Sequence, residues 1–234
     1  MNRPFLFAGL IGVTVVAMSI VLLFVFPSRL PAMPRGFVTP IIAFEFVRTV
    51  DDVQLIFGPE DSPQRLEIIN AMDLGNKLDY IYMVLYAAFL AVFSLTCVRV
   101  GRNRLFYIPA CIAALVLAAD ALENVQLLAI TANLESMDIE TCLTRLHGLT
   151  WVKWAGLAVI FLFLVPYFIN GGLFPKIIAV AAVVCALLAA GAFVHRSVLN
   201  ELFGAMTAII FPLIIIYSFV YRTPPHHNGD TGMA

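Results

Sequence analysis

Charge is what this chain lacks most: Asp, Glu, Lys and Arg make up 12% of its 234 residues, while hydrophobic residues make up 62%. Soluble globular domains are about 25% charged, and a mean hydropathy of +0.95 points instead to a polytopic membrane protein. A formal net charge of −1 supplies no basic stripe, so a nucleic acid partner is not expected. No phosphate-binding glycine loop occurs, which argues against a nucleotide. Histidine and cysteine are equally scarce, four of each. Without HExxH, or HxxxH on a spanning segment, a zinc enzyme is disfavoured. Haem is disfavoured because no histidine falls in mid-membrane. The absence of CxxC argues against a thiol oxidoreductase, and the absence of GxSxG against a serine hydrolase. No internal repeat is visible.

What the chain has in abundance is long apolar runs. Six of them reach the roughly 20 residues that span about 30 Å of hydrocarbon: about 5–26, 79–98, 106–130, 149–169, 177–194 and 202–221. The expected fold is all-α, a polytopic bundle of about six transmembrane helices forming a single domain over 1–222. The first run is too long for a signal-peptide core and "FPSRLPAMP" offers no convincing cleavage site, so it reads as a retained signal anchor. Basic residues set the orientation. Arg3, Arg99, Arg102, Arg104, Lys176 and Arg222 fall on one side, whereas Glu135, Asp138 and Glu140 fall on the other. Both termini are therefore expected in the cytoplasm, with 223–234 a disordered tail whose His226 and His227 are a weak metal signal. Of the four cysteines only Cys142 lies clearly outside, so no outer disulfide is expected.

Residues 27–78 form the one long outer loop. In "PIIAFEFVRTVDDVQLIFG", Ile42, Phe46, Val50, Val53 and Phe57 recur at three- and four-residue steps, with Glu45, Arg48 and Asp52 on another face. This predicts an amphipathic helix over about 41–57, lying at the outer membrane surface. "DSPQRLEIINAMD" then predicts a second short helix, capped by Asp61 or Ser62 with Pro63 in its first turn, leading into the second span with a bend at Gly75.

Against this apolar background "AADALENVQLL" stands out. Asp120, Glu123 and Asn124 share one helical face, about 21 Å along the axis from the cytoplasmic start of the third span. Ionised groups at that depth cost about 2.5–3.5 kcal/mol each even on a lenient scale, so they must face protein or water. The second span carries a matching stripe of Asp73, Asn76, Asp79, Tyr82 and Tyr86. The fourth places Thr150 and Lys153 on one face, with His147 at the mouth and Trp151 and Trp154 at interfacial positions. Lys153 is the natural counter-ion of Asp120 or Glu123, and the Glu45 and Arg48 face is expected to converge with them on one outer polar site.

Three functions fit such a site. The first is an outer-leaflet pocket that binds, and in an enzyme processes, a small polar or lipid head-group ligand. There Lys153 would hold an anionic group, and Asp120 and Glu123 would act as acid/base groups or metal ligands. Asp79, Tyr82, Asn124, Glu45, Arg48 and His147 would bind or orient the ligand. Asp79, Asp120 and Glu123 are an oxygen-rich set suited to a divalent cation such as Mg²⁺, Ca²⁺ or Mn²⁺. The second is an accessory subunit whose buried charges form a structural ion-pair network. Its fifth span, 177–194, with Ala182, Ala186 and Ala190 at spacings of four, either packs internally or docks a membrane protein partner. Gly9 and Gly12 carry the same ambiguity. The third is an ion-coupled transporter with helices kinked at Pro166 and Pro212, disfavoured because no charged path crosses to the cytoplasm.

"FEFVRT" at 44–49, "LDYIYMVLY" at 78–86, "DALEN" at 120–124 and "VKWAGL" at 152–157 resemble a loose group of bacterial multi-spanning membrane proteins. The resemblance covers roughly residues 40–160, and "DALEN" followed by a lysine in the next helix is its most specific part. It implies no established activity. The expected location is the bacterial inner (plasma) membrane, in contact with the lipid bilayer.

Overall fold

The computed structural model describes residues 3–135 and 139–222; the tail read over 223–234, with His226 and His227, lies outside them, as does Asp138. Among the described residues the regular structure is all helical, in eight α-helices and one 3₁₀ turn: α1 (Leu6–Val25), α2 (Pro40–Glu45), α3 (Val50–Phe57), α4 (Arg65–Gly101), α5 (Tyr107–Ala132), α6 (Glu140–Phe168), α7 (Leu173–Val194) and α8 (Val198–Val220), with the turn at Arg104–Phe106. Six of them, α1 and α4 to α8, are long and apolar enough to cross a membrane. The chain is thus a multi-pass membrane protein, with one spanning helix for each predicted run.

Each long helix packs on the next, and α8 returns to α1, so the six close into a ring. Small residues permit the closing contact. A Cβ at Gly12 would stand 2.5 Å from Ile215 Cγ1, and one at Gly9 3.0 Å from the Phe219 ring. These glycines serve internal packing. On α7 the buried face runs through Ala179, Ala182, Cys185, Ala189 and Ala192, which turns Ala190 outward and leaves Ala186 half-buried.

The segment joining α4 is longer and straighter than its sequence suggests. The predicted short helix and second span are one 37-residue helix, about 56 Å at 1.5 Å per residue, so its first turns rise beyond the hydrocarbon. Gly75 is where Phe26 lies against the helix with no room for a side chain. The helix begins at Arg65 after Gln64, two residues beyond the predicted cap. Ser62 instead accepts the Arg65 amide through its backbone oxygen at 3.1 Å.

The predicted amphipathic helix at 41–57 is divided into α2 and α3. Thr49 breaks it by taking the N-cap of α3, its hydroxyl accepting from the Asp52 amide at 3.1 Å, while the Asp52 carboxylate accepts from the Arg48 amide at 3.0 Å. Of the predicted apolar face Phe46, Val53 and Phe57 are buried and Ile42 and Val50 half-buried, while Phe44 and Val47, outside that face, are buried with them. They pack against α4, α5 and α6 residues such as Met72, Leu127 and Trp151. Rather than lying flat on lipid, α2 and α3 roof one end of the ring.

Candidate functional site

Three helices bring the predicted charges together. On α5, Asp120, Glu123 and Asn124 are all buried on the face toward α4 and α6, as their spacing requires. On α6, Thr150 and Lys153 face them, and Glu45 comes down from the C-terminal end of α2. Lys153 Nζ is the centre: it lies 2.5 Å from Glu123 Oε2, 3.0 Å from Glu45 Oε1 and 3.3 Å from Asp120 Oδ1. Glu123 is 0% exposed, Asp120 2% and Lys153 6%, so water screens these charges little.

The second oxygen of each carboxylate is also held. Thr150 donates to Glu123 Oε1 at 2.6 Å, Trp154 Nε1 donates to Glu45 Oε2 at 2.8 Å, and the Tyr86 hydroxyl donates to Asp120 Oδ2. Lys153 also lies 5.5 Å from the centre of the Trp154 ring. A buried charge is tolerable when paired and hydrogen-bonded; here each carboxylate has both an ion pair and a hydrogen bond, but one cation serves three carboxylates and negative charge is left in excess. Both tryptophans turn toward protein: Trp151 is buried against Phe46 and Phe193, with ring centres 5.4 and 5.0 Å away.

Asp79 stands apart from this network. Asn124 donates to its Oδ2 at 2.8 Å and to the Asn76 carbonyl at 3.1 Å. Among the described residues Asp79 forms no ion pair. The candidate metal set is therefore divided, with Asp120 and Glu123 closing on Lys153 and Asp79 held by Asn124. Among the described residues no three His, Cys, Asp or Glu side chains are grouped as a metal ion would need.

A cavity of about 300 Å³ opens beside the cluster. Asp79, Tyr82, Tyr86, Asp120, Lys153 and Glu45 form its polar side. Its other walls come from α1 and α8, through Val15, Val16, Ser19 and Ile20 and through Gly204, Thr207, Ala208 and Pro212. Val16, Ile20, Ala208 and Pro212 in this lining are exposed, so the cavity is open along the seam between α1 and α8. The seam that Gly9 and Gly12 close nearer the other end is open here. Glu123 and Asn124 do not line the cavity; they hold Lys153 and Asp79, which do.

Arg48 and His147 are not part of this site. With Thr49, Asp51, Glu140 and Thr144 they line a separate groove of about 630 Å³ at the roofed end. Two features escaped the sequence reading. One is the contribution of α1 and α8, for which Ser19 and Thr207 in apolar runs were the available signal. The other is Glu201, whose Oε1 accepts from the Val38 and Thr39 amides at 2.9 Å each and whose Oε2 accepts from the Thr39 hydroxyl at 2.7 Å. Glu201 thereby fixes the start of α2, whose other end carries Glu45. Asp52 reinforces the roof by pairing with Arg196 at 2.9 Å. Comparison with protein-family models, with curated proteins and with solved structures gave no match for this chain.

Proposed function

We propose that this protein binds the polar head of a membrane-borne amphiphile in the outer leaflet, with the ligand reaching the site sideways from the lipid between α1 and α8. The observation that carries the reading is the cavity itself: apolar walls from the two spanning helices α1 and α8, ending on a polar floor at Asp79, Tyr82, Tyr86 and Asp120. Ligand sites combine such walls with a few convergent polar groups. The outer-leaflet position rests on the distribution of basic residues, which puts Arg99, Arg102 and Arg104 at the opposite end.

The reading separates two roles within the charged cluster. Glu123, Lys153 and Glu45, whose oxygens and ammonium are mutually engaged, act as a structural network that locks α2, α5 and α6 in register. Asp79, Tyr82 and Asp120 act as the binding surface, with Asn124 positioning Asp79. Native mass spectrometry of the purified protein in a mild non-ionic detergent tests this. Wild type should retain one amphiphile per chain, and Ala208→Trp, which fills the opening, should lose it while staying a folded, monodisperse species in size-exclusion chromatography. No retained amphiphile in wild type, or equal retention in both, would overturn the reading.

A further inference from the structure

The cavity also carries information about the charge of its occupant. Its ionisable lining is Glu45, Asp79, Asp120 and Lys153. The lysine is already shared among Glu45, Asp120 and Glu123, so it offers an incoming anion nothing without breaking an ion pair. One carboxylate oxygen, by contrast, remains unused: Asp79 Oδ1 has no hydrogen bond or ion pair among the described residues, since Asn124 takes Oδ2. Asp120 Oδ1 is buried and taken by Lys153 at 3.3 Å, the longest of the three contacts, so Asp120 adds negative charge beside it.

Both acids line the same small space, beside the edge-to-face pair Tyr82 and Tyr86, whose ring centres are 5.4 Å apart, and next to Phe211. Carboxylates with spare acceptor capacity next to aromatic rings are the chemistry that binds ammonium groups. A phosphate in the same space would face uncompensated carboxylates at short range in a medium of low dielectric.

We infer that the ligand is a long-chain amine, a single alkyl chain with a protonated primary ammonium head and no phosphate. The ammonium donates to Asp79 Oδ1 beside the negative charge of Asp120, and the chain leaves between Val16 and Ala208 into the bilayer. This inference rests on the proposed lipid-accessible pocket and adds the sign and class of the head group. It reverses the expectation from sequence that Lys153 holds an anionic group. A primary amine is favoured over a quaternary one because the open acceptor, Asp79 Oδ1, needs an N–H donor.

The test uses the full chain in nanodiscs of uncharged lipid, titrated separately with dodecylamine, dodecyl phosphate, dodecanol and butylamine. Binding is followed by tryptophan fluorescence, to which Trp154 at the cavity wall responds, and by the thermal midpoint. Dodecylamine should bind at least tenfold tighter than the other three and raise the midpoint. Asp79→Asn should weaken dodecylamine at least tenfold. Ser19→Lys, which puts a competing ammonium into the cavity without touching the acids, should weaken it to a similar degree and serves if Asp79→Asn fails to fold.

Dodecyl phosphate or dodecanol binding as tightly as the amine would overturn the amine class and leave the pocket standing. Undiminished dodecylamine binding in the Ser19→Lys variant would overturn the assignment of the amine to this cavity. Butylamine binding as tightly as dodecylamine would overturn the membrane source of the ligand. Failure of all three dodecyl compounds would overturn the pocket reading as well.

Discussion

The two ends of the ring are held together by different physics. Away from the roof the interior is aromatic: Phe5 lies 4.7 Å from Phe93, Phe93 5.8 Å from Phe168, and Phe168 5.2 Å from Tyr217, between ring centres, with a Tyr217 to Tyr167 hydroxyl contact at 3.2 Å. Toward the roof the interior holds Lys153 and its three carboxylates. Lipid tails are as apolar as phenylalanine, so in the aromatic half association gains little from leaving the solvent and depends on close fit. In the polar half the alternative to pairing is a charge facing hydrocarbon.

The difference teaches which half sets the register. A one-residue slip turns a helix by about 100°, which swaps one apolar side chain for another in the aromatic half but carries Lys153 away from all its partners. The aromatic half fills the ring, and the charged half chooses among its packings. Asp79 is the exception within the charged half, held by an amide rather than a cation. That leaves its Oδ1 without a hydrogen bond or ion pair among the described residues.

Removing the common cation should break the comparison most severely. Lys153→Met leaves three buried carboxylates without their partner, and loss of one member of a buried ion pair costs about 3–5 kcal/mol. The expected outcome is loss of most folded monomer, read by size-exclusion chromatography and thermal unfolding. Adding Glu45→Gln, Asp120→Asn and Glu123→Gln to the same chain should recover more than half of the lost thermal midpoint. A single variant with the wild-type midpoint would mean that the charges do not set the fold.

A cavity in the aromatic half should cost less than stranding the charges. Phe93 is fully buried among Phe5, Phe89, Phe168 and Tyr217. Phe93→Ala should lose about 3 kcal/mol, the low end for phenylalanine truncation, because lipid does not oppose exposure of apolar surface as water does. Equilibrium unfolding should show a folded protein with reduced stability. A loss as large as that of Lys153→Met would erase the distinction between the halves.

The smallest effect should come from the roof. Glu201→Gln keeps an acceptor for the Val38 and Thr39 amides and removes the charge, which should cost about 1 kcal/mol. Hydrogen exchange should quicken at Val38 and Thr39 and stay unchanged in α5. Unchanged exchange at those two amides would show that α2 is positioned by its apolar contacts alone.

Much of this site was legible in the chain. Asp120, Glu123 and Asn124 on one face, the Asp73 to Tyr86 stripe opposite, and Lys153 as counter-ion all follow from helical spacing and from the rule that lipid drives charge inward. Those are local or nearly local properties. The grouping of Arg48 and His147 with that site did not follow, because the break between α2 and α3 turns Glu45 inward while leaving Arg48 exposed. A periodicity spanning both helices cannot register that turn.

The sequence by itself determined six spanning helices, their polar faces and the identity of the central cation, because hydrophobic length and a 3.6-residue period are written along one strand of chain. Only the tertiary structure decided that α8 returns to α1, that glycines close that seam at one end and leave a portal at the other, and that Glu201 sets α2 so that Glu45 reaches Lys153. Those contacts join residues as far apart as Gly9 and Phe219, 210 positions along the chain, and no local pattern in the chain encodes which distant helix becomes a neighbour.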